Sequence, residues 1–221
     1  MFASWTPTLY FNLGPAYTLD LADTRYQVHA AVDVLLLRNR AVVRHVSNAD
    51  HCFTVKFYPG GLEAVLGFSQ VGLADRLVPL GQVLPPWLPA QLRQACSFAE
   101  RTDLMQRYLV QAQRGTPAPD HYLRLVSEAI GEYQATGLQL RTSAVAERLF
   151  LTSKTINRYF HRVVGTGPKE YFALLRARAA LTAFVANPAE FAPDDYGYYD
   201  RSHFGRDMRS FTGQPLPKRR R

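Results

Sequence analysis

A pattern that occurs twice, 48 positions apart, constrains this chain more than any other feature. Thr152, Ile156, Arg158, Phe160 and Gly165 fall on Asp200, Phe204, Arg206, Met208 and Gly213. Thr and Asp cap a helix by accepting a hydrogen bond from one of its first free N–H groups. Gly ends a helix because it takes the left-handed conformation without steric cost. Between cap and Gly, Ile156, Phe160 and Val163 recur at i, i+4, i+7, as do Phe204, Met208 and Phe211. Each copy is therefore expected to be a helix with one apolar stripe. A self-similar segment of this kind marks a repeated structural unit.

The other face carries Lys154, Asn157 and Arg158 in the first copy, and Ser202, Arg206 and Arg209 in the second. Residues three or four apart share a helix face, so each copy offers long donors just after an N-terminus. A recognition helix presents side chains to base edges from that position. Arg suits guanine and Asn suits adenine through paired hydrogen bonds. With their immediate neighbours, the candidate DNA-binding residues are Lys154, Thr155, Asn157, Arg158, His161, Arg162, Arg201, Ser202, Arg206 and Arg209. His161 and His203 read as phosphate or base neighbours rather than catalysts. One such helix alone would read as an ordinary amphipathic helix with a solvated basic face. Two copies, each preceded by a short segment and a tight turn, argue against that. A single helix joins them, starting at Pro168 and closed by Asn187-Pro188. It spans roughly 28 Å at about 1.5 Å per residue.

Charge agrees with this placement. The 221 residues carry a net charge of +8. From Asp120 onward there are 16 Lys+Arg and 10 Asp+Glu, so most of the excess lies in the C-terminal half. That half reads helical throughout. Asp120 caps a helix to about Thr136, with Leu123, Val126, Ile130 and Tyr133 as its stripe and Gly137 as its stop. Thr142 or Ser143 caps a short helix from Ala144 to Leu149.

The first 86 residues read differently. In Cys52–Tyr58, Phe53, Val55 and Phe57 alternate with Thr54 and Lys56, the period of a half-buried strand. Leu9–Leu13, Gln27–Leu37 and Ala41–Val46 are further strand candidates. Pro59-Gly60-Gly61 is a turn, and Leu62–Phe68 suits a short helix. From Trp87 the spacing turns helical through Leu92, Ala95, Ala99, Leu104 and Tyr108. Residues 115–120, Gly-Thr-Pro-Ala-Pro-Asp, then break it.

Several chemistries are disfavoured. Cys52 and Cys96 form no C-x-x-C pair, which argues against a structural zinc site and suits a reduced cytosol. His51 and Cys52 are adjacent, so on a strand they point to opposite faces. Gly60-Gly61 lacks the Lys-Ser/Thr that completes a phosphate loop, and no nucleophile–His–acid signature is present. No run approaches the ~18–20 apolar residues of a membrane span, and the N-terminus lacks the layout of a signal peptide.

At the repeated helices the sequence resembles the AraC/XylS family of bacterial transcription regulators, from about Leu123 to Pro217. The residues that carry the resemblance are Ala146, Arg158, Phe160, Gly165 and Pro168, then Tyr171, Arg176 and Ala180. A second signature, Gly-[Phe/Tyr]-x-Asp-x-Ser-x-Phe-x-Arg, is met by Gly197, Tyr198, Asp200, Ser202, Phe204 and Arg206. The resemblance implies two helix-turn-helix units set into successive major-groove faces by the connecting helix. Base-facing positions would be Lys154, Asn157 and Arg158, then Ser202 and Arg206. Two departures stand out. Pro193 falls where the second unit should have its first short helix, which should be very short or begin at Pro193. The closing Gly-x-x-Pro is replaced by Gly213-Gln214-Pro215-Leu216-Pro217, and Lys218–Arg221 end the chain as a candidate phosphate-binding tail. Phe57-x-Pro59-Gly60-Gly61-Leu62 also resembles the cupin-like region that precedes this domain in one subgroup.

The expectation is an α+β fold in two domains. Residues 1–86 form a β-rich, cupin-like sensor or dimerisation domain, 87–118 a helical linker, and 119–221 an all-α AraC-type DNA-binding domain. Expected partners are double-stranded DNA, with a small-molecule effector at the N-terminal domain and a second copy of the chain as candidates. The protein is expected to be cytoplasmic and non-enzymatic, with no cofactor, metal or membrane association. The competing readings are a methyl-accepting alkylation-response protein, which would need a cluster of thiolates, and a sensor that binds no DNA.

Overall fold

The structure, a computed structural model, describes residues 3–21, 24–39, 42–45, 49, 51–74, 76–115 and 120–214. Its first half holds two antiparallel sheets. The strands are β1 (Pro7–Asn12), β2 (Tyr17–Leu21), β3 (Thr24–Val28), β4 (Val34–Leu37), β5 (Val42–His45), β6 (Cys52–Lys56) and β7 (Leu77–Pro79). One sheet runs β6-β1-β4-β7 and the other β3-β2-β5. Tyr10, Val34 and Leu36 of the first pack on Tyr17, Leu19, Leu21, Val28 and Val42 of the second. The alternate residues Leu9, Phe11, Leu35, Leu37 and Phe53 point the other way, into a larger core shared with the helices. Strand side chains alternate between faces, and both faces of the first sheet are covered. All six residues of β1 are buried as a result.

The run Gln27–Leu37, expected as one strand candidate, is two strands with a loop between them. Ala31 sits there at φ 59°. Asp33 is buried, accepts the Asn12 N–H at 2.9 Å and pairs with Arg93 at 2.5 Å. Helix α1 (Gly61–Leu66) follows the Pro-Gly-Gly turn. The helical region from Trp87 is two helices, α2 (Trp87–Gln94) and α3 (Phe98–Arg114), because Ser97 caps a new start by accepting the Glu100 N–H at 3.1 Å. Leu88, Leu92 and Met105 enter the main core, and the Phe98 ring meets Phe53 edge-on at 5.8 Å. These helices lie against the first sheet. Residues 116–119 of the expected break lie outside the described residues.

The second half is helical: α4 (His121–Ala135), α5 (Thr142–Arg148), α6 (Ser153–Val163), α7 (Pro168–Ala186) and α8 (Arg201–Thr212). The Asp120 side chain accepts the Tyr122 N–H. Helix α5 begins slightly earlier than expected, with Arg141 at its N-cap and no side-chain cap bond. Thr152 Oγ1 accepts the Thr155 N–H at 3.1 Å, and Asp200 Oδ1 accepts the His203 N–H at 2.6 Å. Gly165 and Gly213 close the two repeats at φ 92° and 71°. Pro193 opens a single 3-10 turn, Pro193–Tyr196, where the second unit's first helix was expected. Pro fits there because the first residue of a helix needs no N–H.

One hydrophobic core runs through both halves. It joins Phe57 and Leu62 of the first to Val126, Ile156, Phe160, Val163 and Phe172 of the second. Residues 3–6 are buried at this junction, where the Ala3 N–H donates to the Phe211 carbonyl.

Candidate nucleic-acid interface

Each repeated helix is anchored by its apolar stripe. Ile156, Phe160 and Val163 are all at most 1% exposed. Phe160 meets the rings of Phe172 at 5.4 Å and Tyr171 at 6.0 Å, and Phe172 stacks on Tyr133 at 4.1 Å. Phe204 and Met208 sit in a second, smaller core with Ala177, Ala180, Phe191 and Tyr198. The small side chains of Ala177 and Ala180 let α8 approach the connecting helix. Arg176 ties them further, 3.8 Å from Asp207 and with its guanidinium 4.9 Å from the centre of the Tyr198 ring. Burial pushes the Tyr198 phenol up to about 12.

With the stripes buried, the other faces point outward. Lys154, Asn157, Arg158, His161 and Arg162 are exposed on α6, and Arg201, Ser202, Arg206 and Arg209 on α8. Arg158 lies 5.3 Å from the Tyr159 ring centre. Three candidates have structural partners. Thr155 is half-buried and shares the cap, with its hydroxyl 2.8 Å from that of Thr152. Arg201 donates to the Phe191 carbonyl at 3.5 Å. Arg162 donates to both oxygens of Glu63 on α1, at 2.9 and 3.3 Å. Gly167, between α6 and α7, lies where a Cβ would stand 3.2 Å from Asn157 Oδ1, so a side chain there would crowd that face.

Between the halves lies an open groove of about 820 Å³. Ser4, Thr6, Lys56 and Phe57 line one side, and Ile130, Tyr171, Leu175 and Arg178 are among those on the other. No Asp or Glu is among its lining residues. Lys56 is held below its ordinary pKa by burial, then by Arg178 and Arg38; burial and Arg38 do the same to Arg178. The buried hydroxyls of Ser4 and Thr6 have no hydrogen-bond partner among the described residues. The alternation of β6 placed Lys56 on a polar face, but nothing in the sequence signalled that Arg178 would meet it. No three of the described His, Cys, Asp and Glu residues gather as metal ligands. No helix of the described residues is long and apolar enough to cross a membrane.

Comparison with known families matches residues 145–221 to a helix-turn-helix domain. Residues 145–221 are an AraC-type helix-turn-helix domain. No curated protein sequence matches the chain. Among solved structures, ToxT from Vibrio cholerae superposes with a TM-score of 0.56 at 11% identity, covering 97% of this chain and 89% of that one. ToxT solved with (E)-4-(8-methylnaphthalen-1-yl)but-3-enoic acid gives a TM-score of 0.55 at 10% identity, covering 97% and 90%. ToxT with an unsaturated fatty acid bound gives 0.50 at 12% identity, covering 97% and 86%. At these identities the likeness is one of fold, and it extends through both halves. With its AraC-type domain, the chain is a DNA-binding transcription regulator.

Proposed function

We propose that α6 and α8 read one DNA site from two neighbouring major grooves, and that the N-terminal half adjusts this binding in response to an amphipathic carboxylate. The observation that carries the first part is the pair of capped helices, each buried along one stripe and basic on its free face. The connecting helix is about 28 Å long by rise per residue, against ~34 Å between successive groove faces. Lys154, Asn157, Arg158, Ser202 and Arg206 would choose the sequence, while Thr155, His161, Arg162, Arg201 and Arg209 would position the protein on phosphates. In this reading the sensor half comprises 1–86 together with the helices of 87–118, and 119–221 bind DNA. The regulator works without catalysis, in the cytoplasm, as one copy or two.

Arg158→Ala is expected to weaken binding to the preferred duplex by about 1–3 kcal/mol and to relax specificity at one base pair. Selection of bound duplexes from a random pool defines that site. Equal loss on random DNA would reduce Arg158 to a phosphate contact.

The effector reading rests on the groove. Lys56 and Arg178 on one groove, two hydroxyls without a partner among the described residues, and apolar walls suit a carboxylate head with a hydrocarbon body. The two ligand-bound ToxT structures hold molecules of that chemistry. Oleate is expected to raise the melting temperature of the full chain and to change its DNA affinity. Its methyl ester should do neither, and Lys56→Gln should blunt both effects. Equal responses to acid and ester would remove the proposed role of the cations.

A further inference from the structure

The turn at Pro59-Gly60-Gly61 is seated against the first recognition helix. A Cβ on Gly60 would stand 2.3 Å from Leu123 Cδ2 and 2.9 Å from Val163 Cγ1, so this approach requires glycine. The Gly60 N–H donates to Gln70 Oε1 at 2.9 Å. Gln70 is 1% exposed, and its Nε2 donates to the carbonyls of Val164 at 2.9 Å and Trp5 at 3.3 Å. Val164 is the C-cap of α6. A single buried carboxamide thus joins the turn, the N-terminal segment and the end of the recognition helix. At the rim of this contact, Glu63 holds Arg162 in a two-pronged ion pair.

We propose that Glu63 is a built-in competitor for DNA at the first recognition helix. Its carboxylate occupies the guanidinium of Arg162 in the free protein and yields it to a phosphate when DNA binds. The inference rests on the DNA-binding reading and adds to it a restraint exerted by the N-terminal half. The Arg162 side chain is 48% exposed and that of Glu63 19%. With the guanidinium side half exposed, water screens the pair and lets it exchange. Glu63 therefore tunes affinity rather than locking the helix. It acts through the pair alone, by neutralising a cation that DNA would otherwise use. The buried contacts of Gly60 and Gln70 keep α1 in place while the pair opens.

The test is DNA binding by the full chain across a salt series, with Glu63→Gln, Arg162→Ala and the double variant beside the parent. Gln keeps the size of Glu and removes its charge. Glu63→Gln is expected to bind the selected duplex about three- to tenfold more tightly at low salt. Its slope of log K against log salt should steepen, by at most about 0.9, because in the parent the carboxylate released by Arg162 takes up a cation as the phosphate gives one up. With Ala at position 162 the same change should have little effect, because the coupling term of the cycle isolates the pair. An unchanged affinity and slope in Glu63→Gln, with the parent binding well, would overturn the proposal and leave the DNA-binding reading intact. A gain that persists without Arg162 would assign the effect to general charge instead and would also overturn it. Absence of binding by every variant would sink the DNA-binding reading itself.

Discussion

Phe160→Ala is expected to destabilise the protein by about 3–5 kcal/mol, the range for removing a fully buried aromatic ring. Phe160 is 0% exposed and joins two aromatic residues of α7, one of which stacks on Tyr133 of α4. Truncation removes the ring from the point where α4, α6 and α7 meet. Since whole domains are stable by only about 5–15 kcal/mol, the loss takes a large share of the total. Chemical denaturation monitored by circular dichroism measures it. DNA affinity should fall as well, because the basic face of α6 is oriented only by the seating of its opposite stripe. A cost below about 1 kcal/mol would mean that α6 is not anchored through this ring.

Gly60→Ala should cost about 2–5 kcal/mol, and a second glycine supplies its control. Gly60 and Gly67 flank α1 and have similar backbones, at φ 76° and 66°. A non-glycine residue in that left-handed region costs about 1–2 kcal/mol. Around Gly67 a new Cβ would meet nothing within 4 Å, so Gly67→Ala should cost that amount and no more. At Gly60 the same Cβ would collide with Leu123 and Val163. Overpacking of this kind adds about 1–3 kcal/mol. The excess of Gly60→Ala over Gly67→Ala therefore measures how tightly the turn is pressed onto α4 and α6. If urea denaturation shows equal costs, that contact is looser than the geometry requires.

The two halves differ in how much of them could be read in advance. In the C-terminal half, Thr152, Gly165, Asp200 and Gly213 mark helix ends by local chemistry, and the stripes between them follow the helical period. Local signals of this kind survive without knowledge of the partner. Pro193 was legible for the same reason: a fixed φ and a missing N–H restrict it to the start of a short turn. The N-terminal half was less open to such reading. β1 is covered on both faces and shows no burial alternation, and β7 is three residues long. The loop inside Gln27–Leu37 depends on Asp33 meeting Arg93, 60 residues away. The break before α3 hangs on one serine cap within a run of helical spacing.

Sequence alone determined the limits of α6, α7 and α8 and which of their residues could be free to touch a nucleic acid. Caps, glycine stops and apolar period are properties of a dozen neighbouring residues. Tertiary structure alone decided that Arg162 would meet Glu63, 99 positions away, that Gln70 would join Trp5 to Val164, and that Lys56 and Arg178 would line one groove. Those meetings depend on how the first sheet and helices α1–α7 close around a common core, and no spacing along the chain encodes a contact between side chains that far apart.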